Sequence, residues 1–249
     1  MALNFQIDFA SIGMKKDYLY EVLVTTFSIH ENLIVPNTAS MGIRLVDKKI
    51  IKIWPYPNTS TYKNIVSNNF LIINFVDNVY LYALTSLKGM NKSNRVGSLV
   101  EQEYNYYTLS IKDEYKEFFQ RFTPSDSIQL PYLKQAWAII MCLATNKNQI
   151  LKHDDFGKLE LMEINLAVIS YEKFKESFKL YNRAENLTLE TIVLATKLNI
   201  AIEKKDKTLI RTIKRKIEEN ASEIRRFGKN EIAIKAIEHV YNYINGLGS

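Results

Sequence analysis

Three hydroxyl side chains stand in a row where the sequence predicts the beginning of a short helix. Thr59, Ser60 and Thr61 are followed by Tyr62 and Lys63 in the segment PNTSTYKNI. Backbone N–H groups at a helix N-terminus lack intrahelical partners, and the helix dipole there favours negative charge. Hydroxyls, N–H groups and the Lys63 ammonium could therefore hold a phosphate. Ordinary capping is the alternative, because Ser and Thr are also the usual N-terminal caps.

A second unusual segment, VPNTASMGIR, is small and polar at its centre although strand-like runs flank it. Its candidate binding residues are Asn37, Thr38, Ala39, Ser40, Met41 and Arg44. Small side chains would let backbone N–H and C=O groups reach the edge of a planar ring, and Arg44 is a second cation suited to a phosphate. The alternative is that the segment is merely a turn between two strands.

No side chain in these two segments is an obvious catalyst, so catalytic residues stay unassigned. The three histidines lie in different kinds of segment and there is a single cysteine, so we expect no metal centre. Neither a Gly-x-Ser-x-Gly nucleophile motif nor a glycine-rich phosphate loop is present. Cys142 lies in an apolar run typical of a buried strand, where a thiol is inert. The pattern favours a cofactor that supplies its own chemistry while the protein binds and orients it.

The composition is that of a globular protein in a reducing compartment. The chain has 249 residues, of which 47% are hydrophobic, and this suffices for one large core or two modest ones. Its single cysteine excludes an intramolecular disulfide. The longest apolar run, WAIIMCLA, is too short to span a bilayer as a helix, and no secretory signal is visible. We therefore expect a cytoplasmic protein.

The chain is mildly basic, with a formal charge of +6 and an isoelectric point near 9.1. Between residues 203 and 229 there are ten Lys or Arg against five acids. Long helices carry such charges on their solvated face, which is the interpretation we favour. The alternative is a basic patch that contacts nucleic acid through its phosphates. The segment lacks the interleaved aromatic residues of known RNA readers, so we do not expect nucleic acid as the main partner.

Strand-like patterns dominate the first two thirds of the chain. Runs rich in β-branched and aromatic residues predict strands, and FLIINFV is nearly all apolar, as in a strand buried on both faces. The predicted strands cover residues 20–29, 40–46, 50–54, 70–76, 133–145 and 158–172. Two short helices, 60–69 and 79–89, interrupt them, and the weak pattern of residues 90–107 is interpreted as a loop. A turn over residues 154–157 is expected to join the last two strands.

The C-terminal part changes to a helical period. Asn182 with Glu185 three residues later forms a start like a capping box. Asp206 can cap a second helix, Gly228 can end it, and a third helix follows Asn230. The second helix has an apolar stripe at Ile210, Ile213, Ile217, Ala221 and Ile224. Such stripes predict three helices that bury one face each.

Taken in order, these segments resemble the archaeal proteins of the DUF447 family, in the FMN-binding split-barrel superfamily with pyridoxamine 5'-phosphate oxidases and flavin reductases. The resemblance rests on YEVLVTT, PNTASMGIR, TSTYKNI and INFVDNVYLYALTSL, and later on LKQAWAIIMC and YNRAENLTLETIVLATKL. The family typically has Asn-x-Ala-Pro-Met-Gly-Val-Arg where this chain has residues 37–44, so Ser40 replaces a proline. It also tends to have Thr-Asp-Asp-Pro where residues 76–79 read Val-Asp-Asn-Val.

The pattern along the chain predicts a β-barrel-like domain over residues 1–175 and a helical domain over residues 176–249. The resemblance implies that the first is a six-stranded antiparallel split β-barrel of the FMN-binding type, so that the fold class is α+β with a C-terminal α-helical bundle. It also implies a homodimer with FMN in a cleft between subunits. Thr61 and Lys63 match the Ser-x-Lys element that holds the FMN phosphate in related oxidases.

We therefore expect an FMN-binding flavoprotein, a flavin-dependent oxidoreductase whose substrate the sequence does not indicate. One alternative is a non-enzymatic split-barrel dimer without flavin, for which the replacement at Ser40 leaves room. The other is an interaction protein that contacts nucleic acid with its basic C-terminal helices.

Overall fold

The computed structural model describes residues 8–31, 33–88, 103–110, 126–154, 157–177, 182–226 and 230–247. The chain divides into two compact units. The first comprises residues 1–76, 101–152 and 159–176, and the second comprises residues 77–100, 153–158 and 177–249.

The strands are β1 (Leu19–His30), β2 (Leu33–Leu45), β3 (Ile50–Ile53), β4 (Phe70–Phe75), β5 (Tyr104–Ser110), β6 (Ser127–Leu133), β7 (Ala138–Asp154) and β8 (Gly157–Lys173). Six of them close into an antiparallel barrel in the order β1, β2, β3, β8, β7, β4, while β5 and β6 form a separate two-stranded sheet. The predicted α+β fold with a six-stranded barrel is thereby confirmed.

Alternation along the strands fills the barrel interior. In β1 the inward side chains are Val22 and Val24, and in β4 the residues Leu71, Ile73 and Phe75 point into the same core. All six residues of β4 are buried, because the residues that alternate with Leu71, Ile73 and Phe75 are covered on the outer side of the barrel. The prediction that this strand is buried on both faces is confirmed.

β2 runs unbroken through the unusual segment of small residues. Each residue from Leu33 to Arg44 has a partner in β1, in one continuous antiparallel register. The interpretation of this segment as a turn between two strands is therefore wrong. Backbone pairing with β1 holds the segment extended even though Asn, Ala and Ser have low strand propensity.

The last two barrel strands are longer than predicted. β7 continues past the predicted end at residue 145 to Asp154, and β8 begins at Gly157. The polar stretch TNKNQILKHD has no core-facing alternation, but in a hairpin the partner strand satisfies its backbone groups. Residues 155–156 of the expected turn lie outside the described part of the chain, so this turn stays a prediction.

The small sheet of β5 and β6 was not predicted. The interpretation of residues 90–107 as a loop is wrong from Tyr104 onward, where β5 pairs with β6; residues 90–102 lie outside the described ranges. Only Tyr104 of the seven β5 residues is buried, so the strand lacks the apolar alternation by which a sequence reveals it.

The second unit contains four of the described helices. They are α2 (Val79–Ser86), α3 (Arg183–Glu203), α4 (Lys207–Arg226) and α5 (Glu231–Gly246). Two predicted caps are confirmed by their side-chain bonds, since Asn182 accepts from Glu185 N and Asp206 from Leu209 N. Asn230, after which the third helix was predicted, is its N-cap and accepts from Ala233 N. Of the described helices, none is both long and apolar enough to cross a membrane.

The apolar stripe of α4 packs as expected. Ile213, Ile217, Ala221 and Ile224 are buried, and Ile210 is half-buried. The predicted end of this helix at residue 228 lies outside the described part of the chain.

Candidate functional site

A single proline shows which residues of β2 direct their backbone N–H and C=O groups towards β1 and which direct them away from it. Opposite residues of an antiparallel pair alternate between pairs that exchange both backbone hydrogen bonds and pairs that exchange none. Pro36 lies opposite Phe27 and has no N–H to donate, so this pair exchanges none. The register runs without a break to Arg44, so Thr38 and Ser40 are in the same phase. Their backbone N–H and C=O groups therefore point away from β1.

The strand edge to which these groups point is open. β3 pairs with β2 only at Ile43–Leu45, and no other described strand lies on this side of β2. On this edge Ser40, which is half-buried, presents one backbone N–H donor and one C=O acceptor, whereas Thr38 is buried together with its backbone groups. The sequence predicted accessible backbone groups along the whole stretch of small residues, and their role towards a ligand stays a prediction.

A polar cluster joins β2 to the beginning of α1 (Ser60–Asn68). Asn37 Nδ2 donates to Thr61 Oγ1 at 3.2 Å and to Thr26 Oγ1 at 3.4 Å. Asn64 Nδ2 donates to the same Thr26 oxygen at 3.1 Å, and this hydroxyl donates to the Asn37 carbonyl oxygen at 3.3 Å. Thr26 and Thr61 are buried. The two segments singled out by sequence are therefore held together.

Thr26 and Asn64 of this cluster were missed by sequence reasoning. A weak signal exists for each. Thr26 belongs to a pair of threonines in the otherwise apolar run VLVTTF, and Asn64 lies one helical turn after Thr61, on the same face of α1.

The first turn of α1 supplies hydrogen-bond donors and contains no acidic side chain. Thr59 is the N-cap and its Oγ1 accepts from Tyr62 N at 3.2 Å, so the alternative of ordinary capping is confirmed for this residue, and its contact with a phosphate stays a prediction. Ser60 and Lys63 are exposed, and Lys63 makes no ion pair within the described residues. The first turn holds no acidic residue. Two N–H groups, the Ser60 hydroxyl and the Lys63 ammonium form a donor set that fits a phosphate.

The side chains of the β2 candidates serve the fold. Thr38 is buried, and its hydroxyl lies 2.8 Å from Thr25 Oγ1 and 2.9 Å from the Tyr104 hydroxyl. Ser40 Oγ donates to Glu21 Oε1 at 2.5 Å. Met41 packs against the barrel core, and Ala39 is half-buried. Any contact from this segment to a ligand therefore falls chiefly to its backbone.

Arg44 belongs to a cluster of aromatic and charged side chains on the outer face of the barrel. Its guanidinium lies 5.6 Å from the centre of the Trp54 ring, and Lys152 Nζ lies 4.6 Å from the same centre. Trp54 Nε1 and Lys52 Nζ donate to the two oxygens of Glu163 at 3.2 and 2.9 Å. The hydrogen bond from Lys52 lowers the pKa of the Glu163 carboxyl, while burial opposes the shift. The phosphate role suggested for Arg44 stays a prediction.

The other end of α1 is fixed by a lysine from β7. Lys147 Nζ donates to the Ile65 carbonyl oxygen at 3.2 Å and also to Asn69 Oδ1. A cation at a helix C-terminus is favoured by the dipole. Burial lowers the pKa of Lys147. Both ends of α1 are therefore attached to the barrel by named side chains.

Two other features bear on chemistry. Cys142 is completely buried in the barrel and burial raises the pKa of its thiol, so its assignment to the core is confirmed. In the described ranges, no three His, Cys, Asp or Glu side chains are grouped so that they could hold a metal ion.

Comparison with known proteins gives a consistent picture of the fold. Residues 20–173 match the model of the protein of unknown function (DUF447) N-terminal domain. An uncharacterised protein of Methanocaldococcus jannaschii is 26% identical over 190 residues, which cover 75% of this chain and 80% of that protein.

Solved structures extend the comparison. A DUF447 protein of Methanosarcina mazei, crystallised with FMN bound, superposes with a TM-score of 0.62 at 19% identity, covering 95% of this chain and 100% of the other. The flavin reductase HpaC, solved with NADP+, gives a TM-score of 0.40 at 13% identity over 69% of this chain and 90% of its own.

Proposed function

The chain belongs to the DUF447 family, and from this premise we propose that it is an FMN-binding flavoprotein. The observation that carries the proposal is the contact between Asn37 and Thr61. It brings an open strand edge and a cationic helix start into one site, which is what a ligand with a planar ring and a phosphate needs. The FMN bound to the Methanosarcina mazei protein supports the same assignment.

Each part of the site has a separate task in this proposal. Ser60, Lys63 and the first N–H groups of α1 would hold the phosphate. The half-buried backbone edge at Ser40 would bind polar atoms at the rim of the flavin ring. Bound FMN supplies reversible transfer of one or two electrons. Asn37, with Thr26 beside it, would hold the two ligand-binding segments together, and its predicted contact with the cofactor stays a prediction.

We further propose that the protein acts as an oxidoreductase and as a homodimer with FMN between its subunits. The described site contains no obvious side chain that could perform the chemistry unaided, which suits a redox cofactor. Large apolar side chains lie exposed on β1 and β2, with Leu19 61%, Leu33 69% and Val35 45% accessible. A second copy would cover such residues, and light scattering of the pure protein measures whether it does.

The test of flavin binding compares FMN with riboflavin, which lacks the phosphate. Pure protein should absorb near ~450 nm or acquire that band with added FMN, as expected of a bound flavin. The Ser60→Ala/Lys63→Gln double variant should bind FMN about 10- to 100-fold more weakly, since hydrogen bonds to a charged group contribute about 1.5–3 kcal/mol. Its affinity for riboflavin should not change.

Lys134→Gln is the matched control, because Lys134 is exposed and its removal changes the net charge in the same way. Equal FMN affinity of the double variant and this control would show that the phosphate site is wrong. Absence of binding of both FMN and riboflavin to the parent protein would leave a split barrel without flavin, which is the structural alternative.

A further inference from the structure

The first half of α4 carries a concentrated positive charge. Its first ten residues contain five cations and no acid. These cations are Lys207, Arg211, Lys214, Arg215 and Lys216, and all are exposed. Lys204 and Lys205, directly before the helix, are exposed as well. The acid between them and the helix, Asp206, is engaged in capping Leu209 N.

Most of these charges are uncompensated. Arg215 pairs with Glu219 at 3.2 Å, whereas Lys207, Arg211 and Lys214 make no ion pair within the described residues. A shallow, open depression of about 470 Å³ on the exposed face of the helix is lined by Lys207, Ile210, Arg211, Lys214, Arg215 and Glu218. Four cations and the one carboxylate of Glu218 therefore share this face, which we call the α4 groove.

The arrangement does not serve the stability of the helix. Lys207 and Arg211, and Arg211 and Arg215, are like-charged neighbours four residues apart, a spacing at which repulsion destabilises a helix. Lys207 also lies in the first turn, where the helix dipole disfavours a cation. An anionic partner would relieve the repulsion between the cations and offset the unfavourable interaction of Lys207 with the helix dipole, and both changes would favour binding.

The chemistry of the α4 groove distinguishes between anionic partners. The apolar side of α4, with Ile213, Ile217 and Ala221, is buried, so it is not available to insert into a lipid surface. Residues 203–226 contain no aromatic side chain on which unpaired bases could stack. The exposed face of α4 therefore offers an array of cations, and such an array suits the phosphates of a nucleic-acid duplex.

We propose that the α4 groove binds the sugar–phosphate backbone of double-stranded nucleic acid without reading its sequence. Lys207, Arg211 and Lys214 follow each other along the helix at about 6 and 4.5 Å, from a rise of about 1.5 Å per residue. With Arg215 they supply four cations for phosphate contacts. Binding of this kind releases counterions and weakens steeply with salt. The groove takes no part in the proposed flavin site.

The test uses the full chain and a fluorescein-labelled 20-base-pair DNA duplex of arbitrary sequence, with anisotropy measured from 50 to 200 mM KCl. Four phosphate contacts predict a slope of log K against log salt of about −3.6, or a loss of roughly 150-fold over this range. The Lys207→Gln/Arg211→Gln/Lys214→Gln variant should lose about three units of slope. Its melting temperature should stay the same or rise, because like-charge repulsion is removed.

A matched control removes the same charge elsewhere. Lys48→Gln/Lys49→Gln/Lys134→Gln changes three exposed lysines of the first unit and also lowers the formal charge from +6 to +3. It should bind the duplex with the slope of the parent protein.

Three outcomes would overturn the proposal. The first is that the parent protein does not bind the duplex at 50 mM KCl. The second is that both triple variants lose affinity equally, since net charge alone would then explain binding. The third is tighter binding to vesicles of anionic phosphatidylserine than to the duplex at equal salt.

Discussion

Asn37 Nδ2 donates a hydrogen bond to Thr61 Oγ1 at 3.2 Å and so joins β2 to the beginning of α1 across 24 residues of chain. Between them the chain passes through β3 and the segment WPYPNT, so the contact is set by the fold. It links the α1 N-terminus directly to the strand that carries the open edge, beside the bond from Asn64 to Thr26.

A double-mutant cycle with Asn37→Ala and Thr61→Val measures this bond. Asn37→Ala should lower the free energy of unfolding by about 1–2 kcal/mol, because the buried Thr61 hydroxyl loses this donor. Thr61→Val should cost less, because Asn37 keeps its hydrogen bond to Thr26. The double variant should lose less than the sum, with a coupling of about 1 kcal/mol. Urea unfolding followed by circular dichroism gives all four values. Strict additivity would show that the two side chains do not interact in solution.

The alternating direction of the backbone N–H groups along β2 predicts at which positions a proline is tolerated. Ser40 directs its N–H to the open edge, so Ser40→Pro should remain folded, with a change in stability within about 1 kcal/mol after loss of the hydroxyl bond to Glu21. Ala39 has the opposite phase and bonds to β1, so Ala39→Pro should cost about 3 kcal/mol or more. Thermal unfolding of both variants measures the difference.

Equal loss in the two variants would show that the phase inferred from Pro36 is wrong. The same phase gives a physical reason why the proline typical of related sequences is compatible with this strand, since the replaced N–H has no ladder partner in the described structure.

Much of the barrel could be predicted because its strands carry their own signal. β1 and β4 alternate or are apolar throughout, and helix starts such as Asn182 and Asp206 carry recognisable caps. β5 could not be predicted, since six of its seven residues are exposed or half-buried and show no apolar alternation. The polar end of β7 was missed for the same reason: backbone pairing, not side-chain burial, keeps it extended.

In the candidate site, too, some residues could be predicted from the local sequence and others could not. Thr59, Ser60 and Lys63 could be found from the local chemistry of a helix start. The role of Thr26 could not, because its partners Asn37 and Asn64 come from two other elements and their contact depends on barrel closure. Arg44 was expected beside a phosphate, yet the structure gives it Trp54 as a neighbour, a contact that nothing in the spacing of the two residues indicates.

The Thr38 hydroxyl should behave as the centre of a buried chain of hydrogen bonds. It lies between Thr25 Oγ1 and the Tyr104 hydroxyl, and Asn74 Nδ2 donates to Thr25 Oγ1 at 3.0 Å. Thr38→Val should destabilise the protein by about 1–3 kcal/mol, because two buried hydroxyls lose their partner. Adding Tyr104→Phe should recover part of the loss, as measured by urea unfolding. A further loss of the full single-variant value would contradict this account.

Lys88 should make the stability of the protein depend on alkaline pH. Burial lowers its pKa from 10.5 to about 8, so between these values the unfolded chain binds more protons than the folded one. Stability attributable to Lys88 must therefore rise as the pH increases from about 8 towards 10.5. Lys88→Met keeps the apolar stem and removes the titration.

The measurement is the difference in free energy of unfolding between Lys88→Met and the parent protein at pH 7 and pH 9.5. The free energy of unfolding of Lys88→Met relative to that of the parent protein should fall by about 1–2 kcal/mol from pH 7 to pH 9.5, because the lowered pKa of Lys88 affects only the parent. Tyr104 and Tyr243, whose pKa values burial raises, act in the opposite direction but are present in both proteins and cancel. A difference that is constant with pH would show that the Lys88 ammonium is solvated in the folded state.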